Sequence, residues 1–456
     1  MGAVLLSPFY LLLHLYLLFR ILSWFSAIDG LTGSTGFAVL FTILFVLITV
    51  SPLLGAFTHG RLKRVTKQIS NYWLGILLYL SLFLLLSDLI RSLFCLAAGR
   101  PLFSFAWSSK PTDATSRAAT VIGDALVFTA TALLSVYGIF HARQVKKVTY
   151  PVTIRKNCGF TGAAGRKSRT ESTRKSRPDT AVKSYDGIHL KIALVADLHL
   201  GYSVGLPQIK KIADIIREME PDLIVFAGDI FDNEFAAIKQ PEECARILAS
   251  LKSTCGSFAC WGNHDVEELI FAGFTFHSKE EKVFGSPQMK QFLEASGIRI
   301  LEDETVLINN AFYLTGRLDA SCQRKKSSED KVPDDSILKH GASNTNKSVS
   351  GRKTPAELTA GLDPEKPHIV IDHQPSELPE LAVAGADLVL SGHTHDGQLF
   401  PASLTTRIGW KNSRGKLCIG NMTSIVTSGA GVWGPAMRIG TDNEVVEIIV
   451  SFSDKN

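Results

Sequence analysis

Residues 190–199 read Leu-Lys-Ile-Ala-Leu-Val-Ala-Asp-Leu-His, and this stretch decides the fold of the C-terminal half. It is a short, mostly apolar run that ends in two polar side chains, Asp197 and His199. A bounded apolar run of this length predicts a buried strand. Because open α/β sheets build their sites beyond the carboxyl ends of their strands, the stretch predicts an α/β domain with a polar site at a strand end.

The same arrangement recurs along the chain. Three more apolar runs end in a glycine that precedes a polar side chain: 223–228 before Asp229, 258–262 before Asn263 and 388–392 before His393. Around them, apolar runs alternate with segments of helical periodicity, as in a layered α/β domain. Strands are predicted at 190–196, 222–227, 257–261, 311–315, 368–372, 386–390 and 444–452. Helices are predicted at 207–219, 241–252 and 287–296.

Seven polar residues of this region are candidate metal ligands: Asp197, His199, Asp229, Asn263, His373, His393 and His395. Carboxylate, imidazole and amide groups favour Mn, Fe or Zn, and two neighbouring divalent metals need a bridging carboxylate and open positions for water and substrate. Taken singly, Asp197 with His199, or the segment 262–265, is more readily explained as a turn. The whole ordered series favours a site for two divalent cations.

The series Asp-x-His, Gly-Asp, Gly-Asn-His-Asp, His and Gly-His-x-His resembles that of the calcineurin-like metallophosphoesterase superfamily, over roughly residues 188–450. The resemblance implies a phosphoric ester hydrolase with a four-layered α-β-β-α sandwich. The segment 320–362 departs from compact family members. It is rich in Ser, Lys, Asp and Asn, so we expect a disordered insertion there.

The resemblance also implies a role for each ligand. It implies one metal held by Asp197, His199 and His395, a second held by Asn263, His373 and His393, and Asp229 as the bridge between them. A water shared by two cations is acidified to a bridging hydroxide that attacks phosphorus. His264 is expected to be catalytic, because it could bind a phosphoryl oxygen or protonate the leaving group.

Apolar residues are concentrated before residue 145. The mean hydropathy of the chain is +0.15 with 20% charged residues, which is too apolar for an ordinary soluble enzyme. Four segments approach the roughly 20 residues that cross a bilayer as a helix: 3–25, 37–57, 72–98 and 120–141. We therefore predict a four-helix transmembrane region at 1–145, in a multi-pass integral membrane protein in contact with the lipid bilayer.

Basic residues predict the orientation of these segments. The stretch between the second and third segments holds four basic residues and no acid, whereas the stretch between the first two holds only Asp29. The four are Arg61, Lys63, Arg64 and Lys67. Cytoplasmic loops carry an excess of Lys and Arg, so this stretch is expected in the cytoplasm. After a fourth span, the globular domain at 187–456 is expected there as well.

Residues 146–186 are predicted to be a basic, flexible linker. From residue 143 to 186, twelve Lys or Arg stand against three acids, although the whole chain has a net charge of only +5. The basicity is local, so no nucleic-acid partner is expected for the globular domain. The linker is either a solvated tether or a segment that binds anionic lipid.

The leading hypothesis is a membrane-anchored, metal-dependent hydrolase of a phosphate ester, either a phosphodiester or a lipid-linked phosphate. Trp410 and Arg414 are among the loop residues that could touch a membrane interface, although they could equally be ordinary loop residues. The alternative is a non-catalytic metal-binding scaffold or regulatory domain on a membrane-helix protein. Every ligand position is filled and His264 is present, so the sequence favours an enzyme.

Overall fold

The structure is a computed structural model of the 456-residue chain. It describes residues 2–28, 34–99, 114–156, 158, 189–268, 270–271, 274–275, 284–321 and 351–453. The chain divides into two compact units. Unit 1 comprises Met1–Gln144, Leu269–Phe276 and Val432–Ile439, and unit 2 comprises Val145–Glu268, His277–Gly431 and Gly440–Asn456.

The secondary structure of the described residues consists of α-helices, strands and short 3₁₀ turns. The helices are α1 (Gly2–Ala27), α2 (Thr35–Thr49), α3 (Ser51–Phe57), α4 (Gly60–Ala97), α5 (Ala114–His141), α6 (Leu206–Met219), α7 (Pro241–Ala249), α8 (Pro287–Ala295), α9 (Pro355–Thr359), α10 (Leu378–Val383) and α11 (Ala402–Gly409). The strands are β1 (Val145–Ile154), β2 (His189–Val195), β3 (Leu223–Ala227), β4 (Ser257–Cys260), β5 (Ile270–Phe271), β6 (Phe274–Thr275), β7 (Ile298–Ile300), β8 (Glu304–Ile308), β9 (Phe312–Gly316), β10 (His368–Ile371), β11 (Leu388–Ser391), β12 (Gly415–Ile419), β13 (Met422–Val426) and β14 (Asn443–Phe452).

Among the described residues, three helices are long and apolar enough to cross a membrane: Pro8–Ala27, Gly60–Ala97 and Thr120–His141. The other expected span, 37–57, is divided at Val50 into α2 and α3, and Pro52 lies in the first turn of α3. The 15 residues of α2 extend about 22 Å, less than the roughly 30 Å of a bilayer core. The expectation of four spanning helices is therefore not confirmed.

Four charged side chains join three helices of unit 1. Arg20 of α1 lies 2.9 Å from both Asp88 of α4 and Asp124 of α5. Arg91 of α4 lies 2.5 Å from Asp124 and 3.9 Å from Asp88. Buried charges are tolerated when they are paired, and these two cations and two anions neutralise one another.

Unit 2 contains two six-stranded sheets. Their strand orders are β1-β14-β2-β3-β4-β7 and β12-β13-β11-β10-β9-β8. In the first sheet β2, β3, β4 and β7 run parallel, and in the second β9, β10, β11 and β13 run parallel. Parallel strands present their carboxyl ends at one edge of a sheet, so each sheet has an edge at which several strands can deliver residues to a site.

One hydrophobic core is shared by both sheets. Ile192 and Val225 of the first sheet belong to the same buried cluster as Ile369 and Leu390 of the second. Side chains alternate between the two faces of a strand, and the opposite face of β10 and β11 packs in a separate cluster with Leu381 of α10. The two sheets therefore pack against each other through one face each.

The predicted helices of unit 2 are present as α6, α7 and α8. In α6 the buried residues Ile209, Ile212, Ile216 and Met219 recur every three or four positions, which places them on one face. Pro207 in its first turn and Glu220, in a left-handed conformation after its last turn, limit the helix at both ends. These helices follow the periodicity of their apolar residues.

The expected linker at 146–186 does not begin where the sequence suggests. Residues Val145–Ile154 form β1, which pairs in parallel with β14 over its whole length. Lys146 lies 2.9 Å from Asp442 and Lys147 lies 3.4 Å from a carboxylate of β14. Edge strands commonly carry lysines, which explains the resemblance to a basic linker. Most of the rest of that segment, including 159–186, lies outside the described residues.

The expected insertion at 320–362 is likewise partly ordered. Residues 322–350 lie outside the described residues, whereas 351–362 contain α9 and the buried Arg352. Arg352 lies 3.0 Å from Asp372 and 2.6 Å from Glu377. These buried ion pairs hold residues 351–362 in place, although their polar composition had suggested that they belong to the disordered insertion.

Candidate metal centre

Five strands from the two sheets position the seven predicted ligands. Asp197 and His199 follow β2, Asp229 follows β3, Asn263 follows β4, His373 follows β10, and His393 and His395 follow β11. The first three strands belong to one sheet and the last two to the other. The ligands therefore converge from the carboxyl edges of both sheets.

The first group consists of Asp197, His199 and His395, which are all buried and whose ligand atoms lie within 4.8 Å of one another. The Nε2 atoms of His199 and His395 are 3.1 Å apart. Nε2 of His395 is 3.6 Å from Oδ1 of Asp197. Two imidazoles and one carboxylate thus point at a common position, as the resemblance implied for one metal.

The second group consists of Asp229, His373 and His393, again with ligand atoms within 4.8 Å of one another. Oδ1 of Asn263 lies 3.1 Å from Nε2 of His373 and 2.8 Å from Nδ1 of His393. The side-chain oxygen of Asn263 thus lies close enough to add a neutral oxygen to this group.

Asp229 lies between the two groups. Its Oδ2 atom is 3.1 Å from Nε2 of His373 and 3.7 Å from Nε2 of His199. Burial raises the pKa of Asp229, but the imidazoles of His373, His264 and His199 outweigh burial and hold the pKa well below its usual value. An ionised carboxylate that faces both groups is suited to bridge two cations.

The hydrogen bonds around His373 fit a cation. Its Nδ1–H donates to the carbonyl of Ala227 at 2.8 Å, since a carbonyl can only accept. Nε2 is therefore the ring nitrogen that faces Asp229 and Asn263, and a cation would bind there in place of its proton. Burial lowers the pKa of His373, but the Asp229 carboxylate outweighs burial and holds that pKa well above its usual value. Burial, together with His373, lowers the pKa of His393 to about 4. His393 is therefore a neutral imidazole, the form that binds metal.

Five of the seven predicted ligands have a left-handed backbone. The φ angles are 53° at Asp197, 46° at His199, 51° at Asp229, 73° at His393 and 50° at His395. Such a conformation costs a non-glycine residue roughly 1–3 kcal/mol and persists where the surroundings enforce it, typically at functional sites. Left-handed residues also occur elsewhere in unit 2, but these five all lie just beyond strand ends that turn towards a common point.

Two glycines allow the close approach of these strand ends. A Cβ atom on Gly392 would lie 2.5 Å from Oδ2 of Asp197, and one on Gly262 would overlap Asp229. The backbone N–H of His393 also donates to both carboxylate oxygens of Asp197 at 3.0 Å. The glycines that the sequence places before the ligands are therefore needed because neighbouring strand ends occupy the space of a side chain.

His264 lies beside the two groups. Its backbone N–H donates to Oδ1 of Asp229 at 2.7 Å, whereas its ring Nδ1 contacts Oδ1 of Asn233. The ring centre is 5.2 Å from that of His199. The backbone of His264 therefore orients the central carboxylate, while its side chain is oriented by Asn233 and can act on a bound substrate.

Sequence reasoning missed the role of Asn233, and it left open what two loop residues contact. The ring of Trp410 lies edge-on to His393 with centres 5.2 Å apart. Arg414 lies 2.5 Å from Glu444 and 3.5 Å from Asp396, so it is part of an ion-pair network beside the ligand loop. These contacts join residues that are not neighbours in sequence, so no local sequence pattern predicts them.

The fold and these two ligand groups define the class of protein. Residues 190–397 match the calcineurin-like phosphoesterase family, and all seven predicted ligands lie inside that range. The chain therefore contains a calcineurin-like metallophosphoesterase domain, a family that binds divalent metals.

Relatives of the chain include proteins that combine such a domain with membrane helices. The transmembrane protein with metallophosphoesterase domain of Danio rerio is 26% identical over 274 residues, covering 57% of this chain and 53% of that protein. The chain thus spans about half the length of this relative. An uncharacterized metallophosphoesterase of Aquifex aeolicus is 29% identical over 267 residues, covering 58% of this chain and 86% of its own. The UDP-2,3-diacylglucosamine pyrophosphatase LpxG of Chlamydia trachomatis is 26% identical over 237 residues, covering 48% and 67%.

Proposed function

We propose that this chain is a multi-pass, membrane-anchored phosphoesterase that hydrolyses a phosphodiester or a lipid-linked phosphate. The observation that carries the proposal is the convergence of two Asp/His groups on the single oxygen Oδ2 of Asp229. Two divalent cations, Mn, Fe or Zn, would be held by these groups in a four-layered α-β-β-α domain. When bound, such a pair supplies a water acidic enough to attack phosphorus near neutral pH.

The residues of the chain divide the work around that reaction. Asp197, His199 and His395 would hold one cation, and Asn263, His373 and His393 the other. Asp229, kept ionised by the neighbouring imidazoles and oriented by the backbone N–H of His264, would bridge them. The ring of His264, positioned by Asn233, would bind a phosphoryl oxygen or donate a proton to the leaving group.

A lipid-linked substrate is supported by the membrane region and by one relative. Three helices are long and apolar enough to cross a membrane in the described part of the chain. The name of the LpxG relative gives an acylated sugar nucleotide as its substrate. A domain joined to membrane helices meets lipid-linked phosphates at high effective concentration.

The proposed cytoplasmic placement of the domain requires only that α4 and α5 cross the membrane. The basic residues Arg61, Lys63, Arg64 and Lys67 all lie in the first turns of α4. If this basic end is cytoplasmic, α4 leaves the cytoplasm and α5 returns to it, and unit 2 begins after α5. The broken segment α2–α3 does not enter this count, so the placement does not require four spans.

The test is hydrolysis by the full chain in nanodiscs with Mn²⁺. Bis-(4-nitrophenyl) phosphate and 4-nitrophenyl phosphate are compared for the wild type, for Asp229→Ala, and for the matched control Asp214→Ala on the exposed face of α6. We expect diester hydrolysis that Asp229→Ala abolishes and Asp214→Ala leaves unchanged. If the protein binds two metals but hydrolyses neither ester, the result would instead favour the alternative, a non-catalytic metal-binding scaffold.

A further inference from the structure

We propose that α11 and the residue two positions before it insert into the surface layer of an anionic bilayer, beside the metal centre. The surface in question, the α11 apolar face, consists of Phe400, Leu404 and Ile408. The inference deepens the proposed function and rests on it, because it makes phosphate esters in the plane of a membrane the substrates of the metal centre.

The α11 apolar face is exposed to an unusual degree. Phe400 is 48% exposed, Leu404 51% and Ile408 87%. In the described part of unit 2, the other large exposed apolar side chains are Leu307 and Val383, so three of five fall within nine residues. Leu404 and Ile408 are four positions apart and share one face of the helix. Clustered apolar exposure of this kind marks an interaction surface.

The helix is attached directly to the metal centre. It begins seven residues after the ligand His395, and Gly397 of the ligand loop packs against the backbone of Ala402 and Ser403. Trp410, which follows its last turn, lies against the ring of His393. A ligand of each proposed cation thus adjoins one end of α11, so whatever binds its exposed face is close to the reaction.

The metal centre lies at the sheet edge that contains the first residue of β1. Residues 142–144 alone separate α5, a candidate span, from Val145 at the start of β1, and three residues can span at most roughly 10 Å. Val145 pairs with Asn443, and Val446 three residues further on pairs with Leu194 of β2. The start of β1 therefore lies at the same sheet edge as Asp197.

The α11 apolar face belongs to that edge too. Phe400 lies against Gly440, and the hydroxyl of Thr441 donates to the carbonyl of Gln398 at 3.0 Å. Gly440 and Thr441 directly precede the start of β14, which pairs with the start of β1. The start of β1, α11 and the predicted ligands therefore lie at one edge of unit 2.

The charges of α11 fit an anionic lipid surface. The helix sequence Ala-Ser-Leu-Thr-Thr-Arg-Ile-Gly contains no acid. Arg407 is 63% exposed, although it also lies 3.8 Å from Asp396, and the exposed Lys411 follows two residues after the helix. An apolar face flanked by basic residues binds the interface of anionic membranes.

Lipid-dependent quenching at Ile408 tests the inference without any assay of activity. The full chain, with Cys322 and Cys418 replaced by Ser, receives Ile408→Cys or the control Val383→Cys and is labelled with a nitrobenzoxadiazole fluorophore. Val383, on α10, is 90% exposed and is matched in size and exposure. Each protein is reconstituted in vesicles of phosphatidylcholine and phosphatidylserine with and without lipids that carry a nitroxide on the acyl chain.

We expect a blue shift and nitroxide quenching at position 408 and neither at position 383. Absence of quenching at both positions would overturn the inference. A blue shift at 408 without quenching by the lipid nitroxide would also overturn it, because a second copy of the chain or another protein would then cover the helix.

A kinetic arm separates this inference from the proposed function. In the same vesicles, Ile408→Glu should raise the KM for hexadecyl 4-nitrophenyl phosphate about tenfold or more and leave the hydrolysis of soluble bis-(4-nitrophenyl) phosphate unchanged. Equal loss on both esters, or no loss on either, contradicts a role in membrane docking. If the wild type hydrolyses neither ester, the proposed function fails, while the quenching result still decides whether α11 enters the bilayer.

Discussion

Replacement of His264 by alanine separates its side chain from its backbone. The backbone N–H donates to Oδ1 of Asp229 at 2.7 Å, and an alanine keeps that hydrogen bond. The ring contacts Asn233 and lies 5.2 Å from the ring of His199, outside both ligand groups. We therefore expect His264→Ala to retain two bound metals and to lose rate.

The expected loss follows from the role of the ring. General acid catalysis contributes about 10²–10⁴-fold, which corresponds to about 2.7–5.5 kcal/mol of transition-state stabilisation. An alkyl leaving group needs a proton, whereas 4-nitrophenolate leaves as a stable anion. If the ring protonates the leaving group, the loss should be large for an alkyl ester and small for a 4-nitrophenyl ester. A ring that binds a phosphoryl oxygen should give equal losses.

The assay combines kcat/KM for both esters with metal content by mass spectrometry. Asn233→Ala is the companion variant, since it frees the ring without removing it. If Asn233 acts only by orienting His264, the double variant should be no slower than His264→Ala alone. Loss of bound metal in His264→Ala, with the fold intact, would refute the reasoning, because it would make the side chain part of a ligand group.

Three further predictions concern stability and topology. Asp372 is fully buried and contacts both Arg317 at 2.7 Å and Arg352 at 3.0 Å. Asp372→Asn should therefore lower the free energy of unfolding by about 3–5 kcal/mol. A denaturant titration that shows a loss of less than about 1 kcal/mol would contradict this prediction. Burial and Lys156 lower the pKa of His368 to about 4. The imidazole of His368 therefore stays neutral in the folded protein at pH values at which it is protonated in the unfolded chain. As pH falls from about 6.5 to 4, the free energy of unfolding should decrease by roughly 3 kcal/mol, and His368→Gln should remove this decrease. Glycosidase treatment of the protein from cells should cause no mass shift, since glycosylation at the sequons of Asn346 or Asn421 requires a lumenal domain and would reverse the proposed orientation.

The strands that sequence periodicity found are all interior strands of the two large sheets. The predicted strands correspond to β2, β3, β4, β9, β10, β11 and β14, each of which has a neighbour on both sides in its sheet. The missed strands of the two large sheets are β1, β7, β8, β12 and β13, and all but β13 are sheet edges. Interior strands are buried on both faces and have continuous apolar runs, whereas edge strands are short or carry polar residues. Periodicity therefore reports burial, and it is weakest where a strand is half solvated.

The same cause explains the linker. Lys146 and Lys147 are characteristic of a solvated segment by composition, yet β1 is ordered because its backbone bonds to β14 and its lysines meet Asp442 and Glu447. The partner lies about 300 residues away in sequence. No local property of residues 145–154 indicates that a strand edge will be available to them.

The chemical types of the candidate ligands could be predicted from the sequence, whereas the way they come together could not be predicted without the tertiary structure or the family resemblance. Residue types and their positions after apolar runs were enough to nominate the seven candidate ligands, because carboxylate, imidazole and amide groups at strand ends have few other uses together. The grouping around Asp229 came with the family resemblance, and the distances of the structure agree with it. The roles of these residues as ligands stay predictions that the metal analyses above can test.

By itself, the sequence determined which segments are apolar, which strand ends are polar, and which ligands could bind a hard or borderline metal. These are local properties, set by side-chain chemistry and by the period of the strand or helix. Only the tertiary structure decided that β10 lies beside β11, that Asn233 meets His264, and that α11 lies at the same sheet edge as the start of β1. Backbone hydrogen bonds are chemically alike in every strand, so the choice of neighbour depends on packing across the whole domain.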